Sequence, residues 1–232
     1  MRRLKWHCVM GSRLRGNDSC GGVICENLRS SVFICGEKKA FDVKEKNMTQ
    51  TTKPVRRLIT IDDGPGIHAK SKCIADGPSP DVRADPARPG FSSTRIWVTD
   101  RTPARIEGIT DTLNAPHTLE PPPGGSVCRV VTFPPDASYK ATAKEVQAYF
   151  DAMGSPQAST YSTQARHPYM QKTRTLDFCL ILDGEITLVL DKQDVSLKAG
   201  DTVVQRGTNH AWSNRSNKPC TIAFSSHDGT HA

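Results

Sequence analysis

TRTLDFCLILDGEITLVLDKQDVSLKAGDTVVQRGTNHAWSNRSNKPCTIAF, residues 173–224, is a series of short apolar or alternating runs. Turn-forming breaks separate the runs: Asp-Gly, Lys-Gln-Asp, Ala-Gly-Asp and Asn-Lys-Pro. Brief strands joined by tight turns are typical of an antiparallel sheet that closes on itself. The stretch therefore predicts an all-β fold, either a barrel or a sandwich.

The periodicity within this stretch predicts its individual strands. Residues 178–182 are continuously apolar, which is typical of a central strand covered on both faces. An Asp-Gly turn at residues 183–185 predicts that residues 186–190 return as the hairpin partner of that strand. Residues 195–198 alternate between apolar and polar, which predicts a half-exposed strand, and residues 202–205 follow as another.

The last run of the stretch predicts a polar pocket. In a strand over residues 210–214, side chains repeat every second residue, so His210, Trp212 and Asn214 would share one face. Trp212 is expected to be a core aromatic, with stacking on a ring-bearing ligand as the alternative. Asn214 is expected to hydrogen-bond the turn that follows it.

Two segments of the stretch resemble motifs of the cupin superfamily. The run over residues 200–214 is similar to the second cupin motif, G-x5-P-x-G-x2-H-x3-N, with one residue deleted and no proline. In this run His210 and Asn214 keep the spacing of the motif. Residues 177–184 resemble the end of the first motif, H-x-H-x3,4-E-x6-G, with Asp177 in place of its Glu and without its histidines.

A neighbouring segment resembles one particular group within the cupin superfamily. HPYMQKTRTLDF, residues 167–178, is similar to a bacterial and fungal group of small RmlC-like cupins that carry H-R-T-x-T-x-D-Y, and Gln171 occupies the position of their His. The resemblance covers the last third of the chain and extends more weakly back to about Arg56. It implies a cupin-type antiparallel β-barrel, or jelly roll, with an N-terminal strand extension and one short helix.

The resemblance also implies a site inside the barrel. Cupins gather two or three His and one carboxylate there around a divalent metal such as Fe, Mn or Zn. In this chain His210 and Asp177 match two of these ligands, and His167 joins them only if the chain before Gln171 folds back. The candidate ligand-binding residues are Gln171, Thr173, Thr175 and Trp212.

Three functions are compatible with these residues. In the first, the protein binds a small molecule in the barrel and its metal site is degraded or weak. In the second, it is a metal-dependent enzyme such as a dioxygenase or decarboxylase. In the third, it is a metal-free isomerase whose acid/base pair is His210 and Asp177, which must then lie within hydrogen-bond reach directly or through one water. The absence of the first-motif histidines favours small-molecule binding.

Length and composition favour a single folded domain. The chain has 232 residues, 36% of them hydrophobic and 24% charged, which suits one all-β domain with extensions. Residues 1–47 lack periodicity and are predicted to be a disordered arm, lying upstream of the true start if translation begins at Met48. Residues 48–165 are predicted to be a strand extension and a helix packed on the barrel, and residues 166–232 the cupin barrel core.

The eight cysteines divide evenly between the arm and the rest. Zinc binding is an alternative for the arm, although its cysteines lack paired C-x2-C spacing: Cys8, Cys20, Cys25 and Cys35. The others lie singly in apolar, strand-like segments, which is typical of buried thiols in a reducing compartment: Cys73, Cys128, Cys179 and Cys220. Because the sequence also lacks a signal peptide, it predicts a cytoplasmic protein.

Most of the formal net charge of +7 belongs to the arm. Residues 1–47 contain ten Lys or Arg and five Asp or Glu, so they account for +5 and leave +2 for residues 48–232. The folded part therefore lacks the basic excess of a nucleic-acid-binding domain. It also lacks an apolar run of roughly eighteen residues, so neither nucleic acid nor a membrane is an expected partner.

The region between the arm and the barrel core predicts strands and one helix. Residues 141–154 show helical apolar spacing, and Thr142 and Glu145 are placed to form a capping box. Residues 77–90 are predicted to be a long surface connection. The N-terminal strands leave apolar edges that a second subunit could cover, which predicts a homodimer. The predicted strands are residues 57–61, 72–75, 94–99 and 127–133.

Overall fold

The computed structural model describes residues 53–106 and 110–230 of the chain. The predictions for residues 1–47, both the disordered arm and the zinc alternative, lie outside the described residues, as does the start at Met48. In the described part of the chain, no helix is long and apolar enough to cross a membrane.

In these described residues, antiparallel strands and one short α-helix make up the fold. The strands form a ribbon of β1 and β2, a sheet in the order β10-β7-β8, and a sheet in the order β3-β4-β5-β11-β6-β9. The helix is α1 (Ala143–Ala152). The strands are β1 (Arg56–Asp62), β2 (Ser71–Pro78), β3 (Val82–Ala84), β4 (Ser92–Thr99), β5 (Ser126–Phe133), β6 (Thr175–Asp183), β7 (Glu185–Leu190), β8 (Asp194–Lys198), β9 (Thr202–Arg206), β10 (His210–Ser213) and β11 (Cys220–Asp228).

The hydrophobic core lies between the three-stranded and the six-stranded sheet. Ile181 and Ile222 project into it from the larger sheet, and Leu188 and Trp212 from the smaller one, each no more than 5% exposed. Burying each such side chain stabilises the fold by roughly 1.5–3 kcal/mol. The predicted cupin-type jelly roll is confirmed, although among the described residues its two sheets pack face to face rather than joining into a closed ring.

Strand β6 shows where two predictions from periodicity were wrong. It lies inside the sheet, between β11 and β9, but only every second residue is buried, so it is not covered on both faces. It also does not form a hairpin with β7, which pairs with β10 and β8 instead. Gly184 carries the chain from one sheet to the other with φ +78°, and a Cβ there would lie 2.7 Å from the Pro219 carbonyl oxygen.

The predicted helix is confirmed together with its capping box. The Thr142 side chain accepts a hydrogen bond from the Glu145 backbone N–H, and the Glu145 carboxylate accepts one from the Thr142 N–H. Val146 and Phe150 are fully buried. These contacts hold α1 against the chain that leads into β6, where Tyr169 belongs to the same apolar cluster.

The surface connection predicted for residues 77–90 was wrong in part. This segment contains β3, and its Asp85 and Arg88 side chains are 4% and 3% exposed. Arg88 donates from Nε to Asp85 Oδ2 at 2.6 Å, and its guanidinium lies over the rings of Phe91 and Tyr169 at 3.9 and 3.6 Å. Polar composition suggested exposure, but mutual pairing and aromatic contact allow both charges to be buried.

The cysteines of the described residues are free thiols with different exposures. Cys179 and Cys220 are buried as predicted, Cys128 is half-buried, and Cys73 is exposed. The prediction was therefore wrong for Cys73, because its strand β2 belongs to the separate two-stranded ribbon and is not covered by either of the other sheets of the described residues.

Candidate functional site

A cavity of about 660 Å³, part of it open to solvent, lies among the inner faces of the two sheets and the residues of α1. Apolar and aromatic side chains form one part of the wall: Leu119, Val131, Phe133, Tyr149, Met153, Tyr169, Trp212 and Phe224. Polar side chains form the other part: Arg88, Ser93, Arg129, Gln171, Thr173, Thr175, Asp177, His210 and Ser226.

A row of inward-facing residues on and before β6 lines this cavity: Gln171, Thr173, Thr175 and Asp177. The hydroxyls of Thr173 and Thr175 lie 2.7 Å apart, and Thr175 Oγ1 donates to Asp177 Oδ2 at 3.1 Å. Because Thr175 uses its proton in that bond, Thr173 donates to Thr175. The row thus supplies one oxygen of Asp177 with a hydrogen bond and leaves its other oxygen, Oδ1, without a partner among the described residues.

Gln171 lies opposite His210. Their backbones exchange two hydrogen bonds of 2.8 and 2.9 Å. His210 Nδ1 lies 2.9 Å from the Thr208 carbonyl oxygen, which can only accept, so Nδ1 carries the proton and Nε2 has a free lone pair. The Gln171 side-chain amide lies 3.3 Å from that Nε2 and donates to it. Burial lowers the pKa of His210, which keeps the imidazole neutral at ordinary pH.

Arg129 and Ser93 were missed by the sequence reasoning. Arg129 lies on β5 between Val127 and Val131, and all three side chains point inward. Alternate residues of β5 are apolar except for this arginine, and that exception was the signal that could have revealed it. Ser93, on β4, pairs with Val131 and is fully buried. Serine carries no such signal, because only the pairing of β4 with β5 places it in the wall.

The segment that contains this row and His210 matches a known protein family. Residues 159–225 match the family model described as a cupin domain. The chain contains a cupin domain. The matched segment runs from just before Gln171 through most of β11, so it includes the candidate residues of β6 and β10.

Two curated fungal proteins are similar to parts of the chain. Phomopsin biosynthesis cluster protein C' of Diaporthe leptostromiformis is 56% identical over 48 residues, which cover 20% of this chain and 25% of that protein. Cupin-domain-containing oxidoreductase virC of Hypocrea virens is 28% identical over 123 residues, 51% of this chain and 48% of that protein. The chain thus spans between a quarter and a half of the length of these relatives.

Two solved structures align with this chain at low scores. The Cnp3 cupin domain of Schizosaccharomyces pombe has a TM-score of 0.38 and 9% identity, over 75% of this chain and 89% of its own. A predicted oxalate decarboxylase from Thermotoga maritima has a TM-score of 0.31 and 13% identity, over 59% of this chain and 79% of its own.

The cupin domain does not gather the donors of a tight transition-metal site. His167 does not line the cavity: its Nδ1 accepts from the Tyr169 N–H, and its Nε2 lies 3.6 Å from Asp136 Oδ2. No group of three His, Cys, Asp or Glu side chains within residues 53–106 and 110–230 is placed to hold a metal. His210 and Asp177 remain beside the amide of Gln171, which is a poor ligand for metals that prefer imidazole.

The acid/base pair proposed from the sequence is present only in part. His210 and Asp177 both line the cavity, but no direct hydrogen bond joins them among the described residues. Gln171 occupies His210 Nε2 and Thr175 occupies Asp177 Oδ2. The two groups could therefore cooperate only through a water or a bound molecule.

Five residues that line the cavity each have a buried polar side-chain atom without a hydrogen-bond partner among the described residues. Four are donors and one is an acceptor. Buried polar groups normally have partners, because leaving one unpaired costs about 1–3 kcal/mol. These atoms are Arg88 Nη2, Ser93 Oγ, Arg129 Nη1, Trp212 Nε1 and, as the acceptor, Asp177 Oδ1.

Proposed function

We propose that the protein binds a small organic molecule in the cavity of its cupin domain, without a tightly bound metal. The observation that carries this proposal is the set of five buried, unpartnered polar atoms around a single cavity. A bound molecule that offers both acceptors and a donor would satisfy these atoms. Each of these atoms that found no partner in a ligand or in water would destabilise the protein by about 1–3 kcal/mol.

The apolar part of the wall supports a ligand with a ring. Phe224 and His210 contact the Trp212 ring edge-to-face, with centroids 5.4 and 6.0 Å apart. Phe133 lies beside the same ring at 6.5 Å. Aromatic walls of this kind bury a ring through area and edge-to-face contact, while a few polar groups fix its orientation.

A cavity-filling variant tests this function. We expect 1-anilinonaphthalene-8-sulfonate, which combines aromatic rings with an anionic group, to bind the natural protein saturably, with a rise in its fluorescence. Ser226→Phe places a ring in the cavity wall on β11, so the probe should bind at least about tenfold more weakly, a difference of about 1.4 kcal/mol. Fluorescence titration measures both affinities.

The control places the same ring outside the cavity, on the exposed side of β8. Ser196 does not line the cavity, so Ser196→Phe should leave the affinity of the probe unchanged. Near-ultraviolet circular dichroism of both variants verifies that they fold. If the probe binds the natural protein and Ser226→Phe equally well, or does not bind at all, the proposed function is wrong.

We also propose that the protein is a homodimer, with a second copy covering the outer face of β6 and β9. Phe178 on β6 and Val204 on β9 are paired in register and are 49% and 60% exposed. The edge strand β9 continues the same apolar face, and such faces are commonly covered by a partner. Three further exposed apolar side chains of β6 lie on that face: Leu176, Leu180 and Leu182.

Light scattering at micromolar concentration tests the dimer. We expect the mass of two chains for the natural protein and of one chain for Phe178→Glu, because a carboxylate at the centre of an apolar interface would lose its hydration. Ser196→Glu on the exposed side of β8 is the control and should leave the mass unchanged. A natural protein with the mass of one chain contradicts the proposal.

We further propose a cytoplasmic location. Its support is the pair of free, buried thiols Cys179 and Cys220, which suit a reducing compartment. Burial raises the pKa of Cys220 to about 12, so this thiol stays protonated and unreactive.

A further inference from the structure

Four arginines within the described residues are more than nine-tenths buried, and one of them differs from the rest. Three have an aspartate partner at salt-bridge distance: Arg57 with Asp111, Arg88 with Asp85, and Arg95 with Asp81. The fourth, Arg129, is 3% exposed and has no carboxylate of a described residue within that distance. Buried charges are normally paired, so Arg129 is the exception that needs a physical reason.

The surroundings of Arg129 satisfy only one side of its guanidinium. Nη2 donates to the carbonyl oxygens of Thr118 and Leu119 at 3.0 and 2.6 Å. Nη1 is buried and has no partner among the described residues. Burial lowers the pKa of Arg129 to about 10, so the group still carries its charge at neutral pH. The cavity therefore presents a fixed positive charge with a free donor.

Ser93 supplies a second free donor on the same wall. It pairs with Val131, two residues along β5 from Arg129, and side chains two residues apart in a strand share a face. Ser93 Oγ is fully buried, lines the cavity and has no partner in the described part of the chain. A guanidinium and a hydroxyl on one wall can donate to the two oxygens of a carboxylate.

Asp177 limits the charge of an acceptable ligand. It is near enough to Arg129 to raise the pKa of the guanidinium, but it does not form a salt bridge with it. Its free oxygen Oδ1 needs a donor, such as a hydroxyl or an amino group. A ligand with two negative charges, such as a phosphate monoester, would be repelled by Asp177, whereas a single carboxylate would not bring a second charge.

We propose that the ligand is a ring-bearing monocarboxylic acid that carries a hydroxyl or amino group, with its carboxylate held by Arg129 and Ser93 and its donor held by Asp177. The ring lies against Trp212 and Phe224. This inference rests on the proposed function, since it names the ligand class of the same cavity.

Calorimetric titration with a matched pair of probes tests the ligand class. 4-Hydroxyphenylacetate and 4-hydroxyphenylacetamide share the ring, the hydroxyl and nearly the same shape, and differ in the charge of one group. The acid should bind at least about tenfold more tightly than the amide, because a charge-assisted bond to Arg129 is stronger than a neutral one. Phenyl phosphate, a dianion, should bind more weakly than the acid.

Two variants test whether the difference in affinity between the acid and the amide arises from Arg129 and Ser93. Arg129→Met keeps the length and apolar stem of the side chain and should bring the affinity of the acid down to that of the amide. Ser93→Ala removes one hydroxyl and is expected to fold. It should lower the affinity of the protein for the acid by about threefold to tenfold and leave its affinity for the amide unchanged. The second variant keeps the test decisive if Arg129→Met does not fold.

The possible failures are distinguishable from one another. The proposed ligand class would be overturned if the acid and the amide bound equally well, or if phenyl phosphate bound more tightly than the acid. It would also be overturned if neither the acid nor the amide bound while the fluorescent naphthalene sulfonate still did. In each case the cavity keeps its proposed function. If the naphthalene sulfonate also fails to bind, the proposed function itself is wrong.

Discussion

Substituting Gln171→His should give the protein a divalent-metal site that binds at least about tenfold more tightly than any metal binding of the natural chain. The Gln171 amide nitrogen lies 3.3 Å from His210 Nε2. Two nitrogens that each lie about 2.0–2.1 Å from one tetrahedral metal are themselves separated by about 3.3 Å. Asp177, whose Oδ1 is unpartnered among the described residues, would complete two imidazoles and one carboxylate.

Calorimetric titration with Fe(II), Mn(II) and Zn(II) measures this gain. Metal affinity should fall as the pH drops below about 6.5, because each imidazole must be deprotonated to bind. Burial lowers the pKa of His210, so the introduced imidazole, rather than that of His210, should protonate first as the pH falls. Adding His210→Ala to Gln171→His should abolish the gain. Equal metal affinity of the natural and Gln171→His proteins would contradict the site.

Substituting Arg95→Met should reduce the free energy of unfolding by about 3–5 kcal/mol, the usual consequence of removing one partner from a buried ion pair. Arg95 is 3% exposed and pairs with Asp81. It also donates to the carbonyl oxygens of Leu113, Ala115 and Pro116. The substitution would leave a largely buried carboxylate and three carbonyl groups without this donor. Urea denaturation measures the loss.

The control is an arginine with the same kind of partner at the surface. Arg56 pairs with Asp76 at 2.6 Å, but the two side chains are 71% and 43% exposed. Water and salt screen such a pair, so Arg56→Met should leave the urea midpoint unchanged. If both variants had the same midpoint, the Arg95 pair would not be the structural link between β4 and residues 111–117.

The ion pair of Arg95 is a feature of the fold that the sequence did not predict. The sequence predicted the strands of residues 94–99 and 127–133 from apolar alternation, and both are present as β4 and β5. It gave no signal that Asp81 lies between Arg95 and His117, which is 2.9 Å from the carboxylate. Ion pairs between residues this far apart in the chain depend on strand pairing, which leaves no local pattern.

The candidate site likewise contains residues whose positions follow from the local sequence pattern and residues whose positions do not. The face shared by Thr173, Thr175 and Asp177 follows from the strand period, and the Gln171 side chain contacts His210. Arg88 was expected in a surface connection but lines the cavity. Its position depends on Asp85 and on aromatic rings from other elements, which composition cannot reveal.

Local features of this protein were determined by its sequence, because they depend on residues close together in the chain. These are the alternation of β8, the break between strands at Gly184, the capping box of Thr142 and Glu145, and the spacing of His210 and Asn214 that resembles a cupin motif. Only the tertiary structure decided which faces met. It exposed one side of β6, left His167 outside the cavity and enclosed Arg129 without a salt-bridge partner among the described residues, because burial and pairing are set by contacts between strands that are distant in sequence.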